Sequence, residues 1–588
     1  MRRPEKSTLA AVAVALFFGV SGLLRYATFT NRTFDLAFYA RMAWGMVRLD
    51  FWDPILGTSV LGLHLSPVLF PVGLVGLAIG TVPALYLGQA LAVGFASVPL
   101  ARVGERRFGP VGRWLGALAI VLHPNVGHVL AYEAHPGTFA VLPLAWMADA
   151  IDRRSTRAFV LASIGVLACR QDLALVVATS ALVFGLADRS ARKTVFATAA
   201  LALAYFLFYL VVLHPRFKPP VGSMELHFGR WGSSLPRVVL AWILHPGEVL
   251  AHLAEPMRAS WPFRITASLL FLPLLSPRML VAASPILGVA LMSVFSTTTK
   301  IESHYLTCAI PFLVAGAFDG ASTIGARLPK LAPHLPRALG LALVTGLVAQ
   351  GLFSPFRPRP GFVDPDIDAS AARRLLAHVP ARASIQAPDA FLPHVAERPL
   401  FFRAPPPDRG ADYLILDLQH RQRFAHTEDL LRTTEEPLVR SFFARQDLAL
   451  VDHQGRFVLF RRASVSHEAR IRAIAASPPP GVGVRIAACL SVLDAEARPG
   501  AIVFRFRAHG SCPTDLAIRL GEGERPTRVD LLFDGLVSPA QLRDGDVVAS
   551  FHAWTERLPS TIRVGALRSS GARPEPADPM SVPVEVRR

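Results

Sequence analysis

Ser7-Thr-Leu-Ala-Ala-Val-Ala-Val-Ala-Leu-Phe-Phe-Gly-Val-Ser-Gly-Leu-Leu24 carries no charged residue and is long enough to cross a bilayer as a helix. It follows Arg2, Arg3 and Lys6, the outline of a secretory signal, but no small-residue cleavage site closes it and further apolar runs come after. The segment Ser7 to Ala27 therefore reads as a retained first span. Working outward, apolar stretches of span length recur near 9–27, 84–101, 111–130, 136–150, 158–171, 173–187, 194–213, 263–276, 279–296, 305–320 and 337–353, which predicts about eleven crossings. The chain is 52% hydrophobic and only 18% charged, with mean hydropathy +0.39, and the excess lies before Pro355. That distribution makes the fold class a polytopic α-helical membrane protein with a soluble C-terminal part.

The net charge of +18 raises nucleic acid as a partner, but the basic residues fall in short clusters between apolar runs, and no helix-turn-helix, RNP or zinc-knuckle signature is present. They read as topology determinants beside membrane lipid, with no nucleic acid. The stretch 65–80 is ambiguous, because Pro67 and Pro71 interrupt it and Gly73, Gly76 and Gly80 weaken it. If it only dips into the outer leaflet, Arg102/Arg106/Arg107/Arg113, Arg153/Arg154/Arg157, Arg189/Arg192/Lys193 and Arg327/Lys330/Arg337 all share the side of the N-terminus. The expected location is thus the plasma (inner) membrane, with a cytoplasmic N-terminus and an extracytoplasmic C-terminal part.

Three domains are expected. Residues 1–354 form the multi-span unit with outer-face loops 28–64 and 214–262. Arg357-Pro-Arg-Pro-Gly361 and Val363-Asp-Pro-Asp366 are a linker into an α/β module over 355–475, with a helix at 369–378 and strands at Tyr413-Leu-Ile-Leu-Asp417, Phe442-Phe443 and Phe457-Val-Leu-Phe460. After Pro478-Pro-Pro480, alternating runs such as Ile502–Phe506, Val529–Phe533 and Val547–Phe551 predict a small β-sandwich over 481–588. Four cysteines exclude a disulfide scaffold. Cys169 and Cys308 lie in apolar spans, while pairing of Cys489 with Cys512 stays open.

The costly polar groups gather at one predicted surface. Asp35 stands just beyond the first span, His64 and Ser66 in His64-Leu-Ser-Pro67, and Glu133 and His135 in Tyr132-Glu-Ala-His-Pro136. Arg170, Gln171 and Asp172 join two spans, and Glu302, His304 and Tyr305 open another. Any one of these alone is more commonly a helix cap or interfacial anchor, but carboxylates, imidazoles and a guanidinium at one leaflet mark a functional site. Asp35, Glu133 and His135 are the catalytic candidates, as general base or as holders of a divalent cation. His64, Arg170, Asp172, His304 and Tyr305 are candidates for substrate binding, with Arg170 as a phosphate clamp. Glu133-x-His135 is no zinc motif, because on a helix the two side chains diverge and only a loop brings them together. In the first loop Leu36, Tyr39/Ala40, Ala43 and Val47 share the spacing of an amphipathic helix lying on the membrane.

Phe34-Asp-Leu-Ala-Phe, His64-Leu-Ser-Pro, Glu133-Ala-His-Pro, Arg170-Gln-Asp, Phe271-Leu-Pro-Leu-Leu-Ser-Pro277, His304-Tyr305, Pro393-His394 and Ala411-Asp-Tyr-Leu-Ile-Leu-Asp417 together resemble a known set of sequences. They are those of the membrane proteins filed as domain of unknown function two-zero-seven-nine, which look like distant relatives of GT-C glycosyltransferases. The resemblance runs over roughly residues 7–462. It implies a sugar donor on a polyprenyl phosphate, a reaction at the outer leaflet and a first-loop acid acting on the acceptor. Where that family has a second acid and an amide after the first Asp, this chain has Ala40 and Arg41, and where it has Lys-Glu-Asp the chain has Arg170-Gln-Asp172. The expected function is a GT-C-type transferase. The rivals are a non-catalytic scaffold that binds lipid or glycan and, third, a transporter.

Overall fold

The computed structural model describes residues 6–31, 33–130, 133–217, 223–301, 303–353, 367–404, 408–417, 445, 447–454, 457–463, 475–498, 501–513, 516–521, 528–530, 539–554, 559–568, 575–576 and 581–587. Tyr132, Glu302, the linker 355–366, the strand expected at 442–443 and the end of the run 529–533 lie outside the described residues. The chain divides into two compact units, one of residues 1–25 and 35–362, the other of residues 26–34 and 363–588. The short segment 26–34, expected as the end of the first span and the start of the first outer loop, therefore folds with the C-terminal unit.

In the first unit four helices among the described residues are long and apolar enough to cross a membrane: Ser7–Ala27, Thr81–Leu122, Arg192–Arg216 and His304–Arg327. Six shorter apolar helices accompany them, Leu69–Ile79, Thr156–Cys169, Gln171–Ala187, Leu235–Leu244, Pro277–Met292 and Leu335–Val348. The spans expected at 84–101 and 111–130 share one run, which breaks at Phe108 (φ −135°) and Gly109 (φ 60°), just before Pro110, whose missing N–H suits a new helical start. The span expected at 263–276 is not a continuous helix. Trp261–Thr266 is helical, but Leu270 and Phe271 adopt φ of 55° and 58°, and only short 3₁₀ turns surround them.

The first-loop helix also departs from expectation. Asp35–Met46 does not lie on a surface: Leu36, Ala37, Phe38, Ala40, Arg41, Met42, Ala43, Gly45 and Met46 are all buried inside the unit. It packs on Leu69–Ile79 so closely that a Cβ on Gly73 would sit 2.2 Å from the Ala43 carbonyl oxygen. Arg41, 1% exposed, pairs with Asp50.

A second group of charges lies where Val141–Asp152, Pro277–Met292 and Ile310–Arg327 meet the kinked run. Asp149 and Asp152 have no exposed side-chain surface. Asp152 accepts from Arg106 Nε at 2.7 Å, from Arg278 Nη2 at 2.9 Å and from Arg107. Asp149 accepts from Arg106 Nη2 at 2.7 Å and Arg153 Nε at 2.8 Å. Asp319 accepts from Arg278 Nε at 2.6 Å, Arg107 Nη2 at 3.1 Å and Ser276 Oγ at 2.9 Å. Burial of these carboxylates is tolerable because charged donors fill their lone pairs. Arg106 and Arg107, read from sequence only as topology determinants, are structural as well.

In the second unit, Asp368 caps the helix Ala369–Ala377 by accepting from Ser370 N at 2.9 Å and Ala371 N at 3.0 Å. A five-stranded mixed sheet runs Phe401–Arg403, Ile385–Ala387, Tyr413–Asp417, Phe457–Arg462, Leu448–Gln454; the first three strands are parallel and the last two pairings antiparallel. A nine-stranded arrangement follows. Its antiparallel groups around Leu490–Arg498 and Thr561–Arg568 join through a short parallel pairing of Val582–Arg587. Inward residues from both groups, among them Phe504, Phe506, Ile518 and Val564, share one hydrophobic cluster with Leu416 and Phe460 of the five-stranded sheet. The two expected modules thus share a core. Cys489 and Cys512 form a disulfide.

The segment 26–34 enters this unit through aromatic contacts. Phe29 is fully buried, its ring stacked 3.7 Å from His394 and 5.2 Å from Phe391. Tyr26 stacks on the same imidazole at 4.2 Å, and Arg373 Nη1 donates to the Ala27 carbonyl at 2.7 Å. Pro393-His394, one of the motifs singled out in the sequence, thus serves as a clamp.

Candidate functional site

The site is built on the N-terminus of the helix Asp35–Met46. The Leu36 N–H in its first turn donates to Glu133 Oε2 at 3.2 Å, so a buried carboxylate is spent on a helix end where backbone donors lack partners. Residues 133–135 are not helical, and His135 is extended at φ −132°, ψ 145°. That extended backbone is what turns both Glu133 and His135 to the same helix end. His135 Nε2 lies 3.4 Å from Asp35 Oδ2.

The proton positions on His135 follow from its neighbours. Its Nδ1 is 3.0 Å from the Glu133 carbonyl oxygen, which only accepts, so Nδ1 carries hydrogen and Nε2 is the atom that exchanges a proton. A hydrogen bond between Nε2 and the Asp35 carboxylate needs a proton on one of the two, so the contact brings a candidate acid and base together. The backbone around the ring is fixed by Gln89, whose Oε1 accepts from His135 N at 3.3 Å, and by Thr138 Oγ1, which donates to the His135 carbonyl at 2.6 Å.

Other predicted residues join from separate elements. His304 stacks on His135 at 3.8 Å and 15°, and Tyr305 lies 4.4 Å from His304. Tyr39, one turn on from Asp35, stands edge-on to His135 at 5.4 Å and 6.3 Å from His64. Arg170 grips Asp172 with Nε at 3.0 Å and Nη2 at 2.8 Å. Its Nη1 has no hydrogen-bond partner among the described residues and lies beside Gly137, where a Cβ would be 3.5 Å away. Gln171 Oε1 accepts from Leu65 N at 2.9 Å, tying the His64-Leu-Ser-Pro67 turn to the same place. Of the candidates, Asp35, His135, His304, Tyr305, His64, Arg170 and Asp172 are near one another. Glu133 supports the helix end from behind.

Two members were missed. His227, from the long loop 214–262, donates or accepts at Ser293 Oγ across 2.9 Å and stands edge-on to Tyr305 at 5.4 Å. Tyr39 had been read only as part of an amphipathic stripe. Burial, with the Arg170 charge nearby, pushes both His64 and His227 down to about 4, so both rings are neutral at neutral pH. Burial and the Asp35 carboxylate hold the Tyr39 phenol well above its usual range. Among the described residues, no three His, Cys, Asp or Glu side chains are grouped so as to hold a metal ion. The arrangement offers a candidate acid and base in contact, a row of aromatic and imidazole rings and a guanidinium with a free edge.

No curated protein matches the chain. Among solved structures the chain is similar to ArnT from Cupriavidus metallidurans bound to undecaprenyl phosphate, at 13% identity, with 77% of this chain and 97% of that chain covered and a TM-score of 0.45. It is also similar to the oligosaccharyltransferase of Archaeoglobus fulgidus in complex with Zn and sulfate, at 13% identity, 77% of this chain and 73% of that chain, with a TM-score of 0.37. The family described as "Predicted membrane protein (DUF2079)" matches residues 25–436, well over half of the sequence, and the chain belongs to it.

Proposed function

We propose that the protein is a membrane glycosyltransferase that takes a sugar from a polyprenyl phosphate at the outer leaflet. The observation that carries this reading is the contact of Asp35 with His135 Nε2, whose other nitrogen is fixed by the Glu133 carbonyl. Asp35 takes the proton of an acceptor hydroxyl as its oxygen bonds to the anomeric carbon. The bond from that carbon to the phosphate oxygen breaks, and the phosphate leaves toward Arg170 Nη1. His135 shares the proton, while His304, Tyr305 and Tyr39 wall the space with rings suited to a sugar's apolar face. His64 and Asp172 border the phosphate side.

The same reading puts about eleven crossings in the first unit and the second unit outside the cell. The 11-residue helix Leu69–Ile79 supports it, since at 1.5 Å per residue it reaches about 16 Å, half of a hydrocarbon core. The test is a transfer assay with lipid-linked sugars on the purified protein. Loss of transfer in Asp35→Asn with an unchanged melting temperature is expected, and full activity in that variant removes Asp35 from the chemistry. A second reading, a scaffold that binds lipid or glycan without catalysis, draws on Arg41. By the resemblance, Ala40 and Arg41 stand where a second acid and an amide are usual, and the Arg41 charge is turned to Asp50.

A further inference from the structure

We propose that the first unit holds a second lipid site, for an anionic glycerophospholipid, at the end remote from Asp35. A cavity of about 1100 Å³ is walled by Leu87, Leu91 and Phe95 from the kinked run and by Leu161 and Gly165 from Thr156–Cys169. Leu91, Phe95 and Leu161 are exposed, so these walls face the surrounding medium, which for a membrane-embedded helix is lipid. The cavity follows Thr156–Cys169 from Arg157 to Cys169, about 18 Å of helix axis. In the proposed topology that helix is one crossing entered from the Arg157 side, and about 18 Å is within the length of one acyl chain.

Only one end of the cavity is charged. Arg153, Ser155 and Arg157 line it, and Trp146, in the same lining, carries the Arg102 guanidinium 5.0 Å from its ring centre. The neighbouring carboxylates are already engaged: Asp149, Asp152 and Asp319 are shared among Arg106, Arg107, Arg153 and Arg278. Four guanidiniums meet three carboxylates there, and Arg102 and Arg157 add positive charge with no ion-pair partner among the described residues. An apolar channel of acyl length with an uncompensated cationic mouth is complementary to a lipid with a phosphate head. The transfer substrate does not fit this mouth, because Arg157 is about 20 Å of helix from Arg170, and a phosphate held at Arg157 would be out of reach of Asp35.

The test uses the full-length protein, stripped of lipid in a neutral detergent and titrated separately with phosphatidylglycerol, diacylglycerol and undecaprenyl phosphate under native mass spectrometry. Undecaprenyl phosphate, held at Arg170, is expected to bind equally with and without Arg157, and phosphatidylglycerol, which reports the second site, in preference to diacylglycerol. Phosphatidylglycerol binding should weaken at least about fivefold in Arg157→Ala, and also in Leu161→Trp, where an indole at an exposed wall position fills the channel without touching the core. Arg157→Lys should retain most of it, and Arg189→Ala, outside the cavity, all of it. Equal binding of diacylglycerol, a loss of undecaprenyl phosphate binding in Arg157→Ala as large as that of phosphatidylglycerol, or indifference of phosphatidylglycerol to both Arg157→Ala and Leu161→Trp would overturn the proposal. None of these readouts depends on sugar transfer.

Discussion

The two polar clusters of the membrane unit differ in how completely their charges are used. Around Asp149, Asp152 and Asp319 every carboxylate is matched by guanidinium donors that hold helices together, and the positive charge left over lies at the cavity mouth. Around Asp35 the contacts are longer and looser: one 3.4 Å carboxylate to imidazole contact, stacked rings, and an arginine edge without a partner. Both groups cost desolvation, but the first fills its carboxylates with guanidinium donors and the second leaves Asp35 with a single long contact to an imidazole. Complete pairing marks a lock, and incomplete pairing marks a place for a ligand.

Substitutions can break that contrast. Asp35→Asn should cut sugar transfer by about 10²- to 10⁴-fold while leaving the melting temperature unchanged, measured on the same preparation. Asp152→Ala should do the reverse. Removing one fully buried partner strands guanidiniums and should cost about 3–5 kcal/mol of stability, read as early loss of the monodisperse peak in a thermal series on size-exclusion chromatography. A stable Asp152→Ala would show that the ionic group is not the lock described here. Glu133→Ala sits between the two, at about 1–2 kcal/mol for the lost helix cap, together with a fall in transfer because Asp35 rides on that helix end.

The smallest effect is with pH. His64 and His227 are pushed down to about 4 in the fold, against 6.5 when unfolded. Between those values the unfolded chain binds the extra protons, so their contribution is full above pH 6.5 and falls as pH drops toward 4. Asp53, pushed up to about 6 by burial, acts in the opposite sense, contributing below its unfolded value of 3.8 and losing that as pH rises through 6. Two groups against one predicts a lower melting temperature at pH 5 than at pH 7. The drop should shrink in the double variant His64→Gln, His227→Gln.

How legible the molecule was depended on the kind of signal. Long apolar runs such as Ser7–Ala27 and Arg192–Arg216 declare themselves by composition, as do the β-rich alternations after Gly481. The helix expected at 263–276 does not form, because hydropathy carries no information on the left-handed backbone at Leu270 and Phe271. The helix Asp35–Met46 has the right period, but Phe38, Arg41 and Met42, off the expected apolar stripe, are buried too, which spacing alone cannot show. Most site residues were readable because carboxylates, imidazoles and a guanidinium recur at the ends of apolar runs on one predicted surface. His227 was not, since it lies in a loop where polar residues are ordinary, and only tertiary contact with Ser293 and Tyr305 distinguishes it. The ionic group was hidden for a related reason: Asp149, Asp152 and Asp319 looked like the fringes of spans.

The aromatic clamp on Phe29 sets an order of events during synthesis. Residues 26–34 leave the ribosome early, but His394 and Phe391, which cover Phe29, follow more than 350 positions later. Until then a large apolar ring waits uncovered beside the first helix, and closure depends on a very distant pairing, which slows folding and invites chaperone capture. A fragment beginning at residue 363 would lack its own plug and should expose the hollow around His394, so the C-terminal unit is best produced with residues 26–34 supplied as a peptide or fused through a short linker.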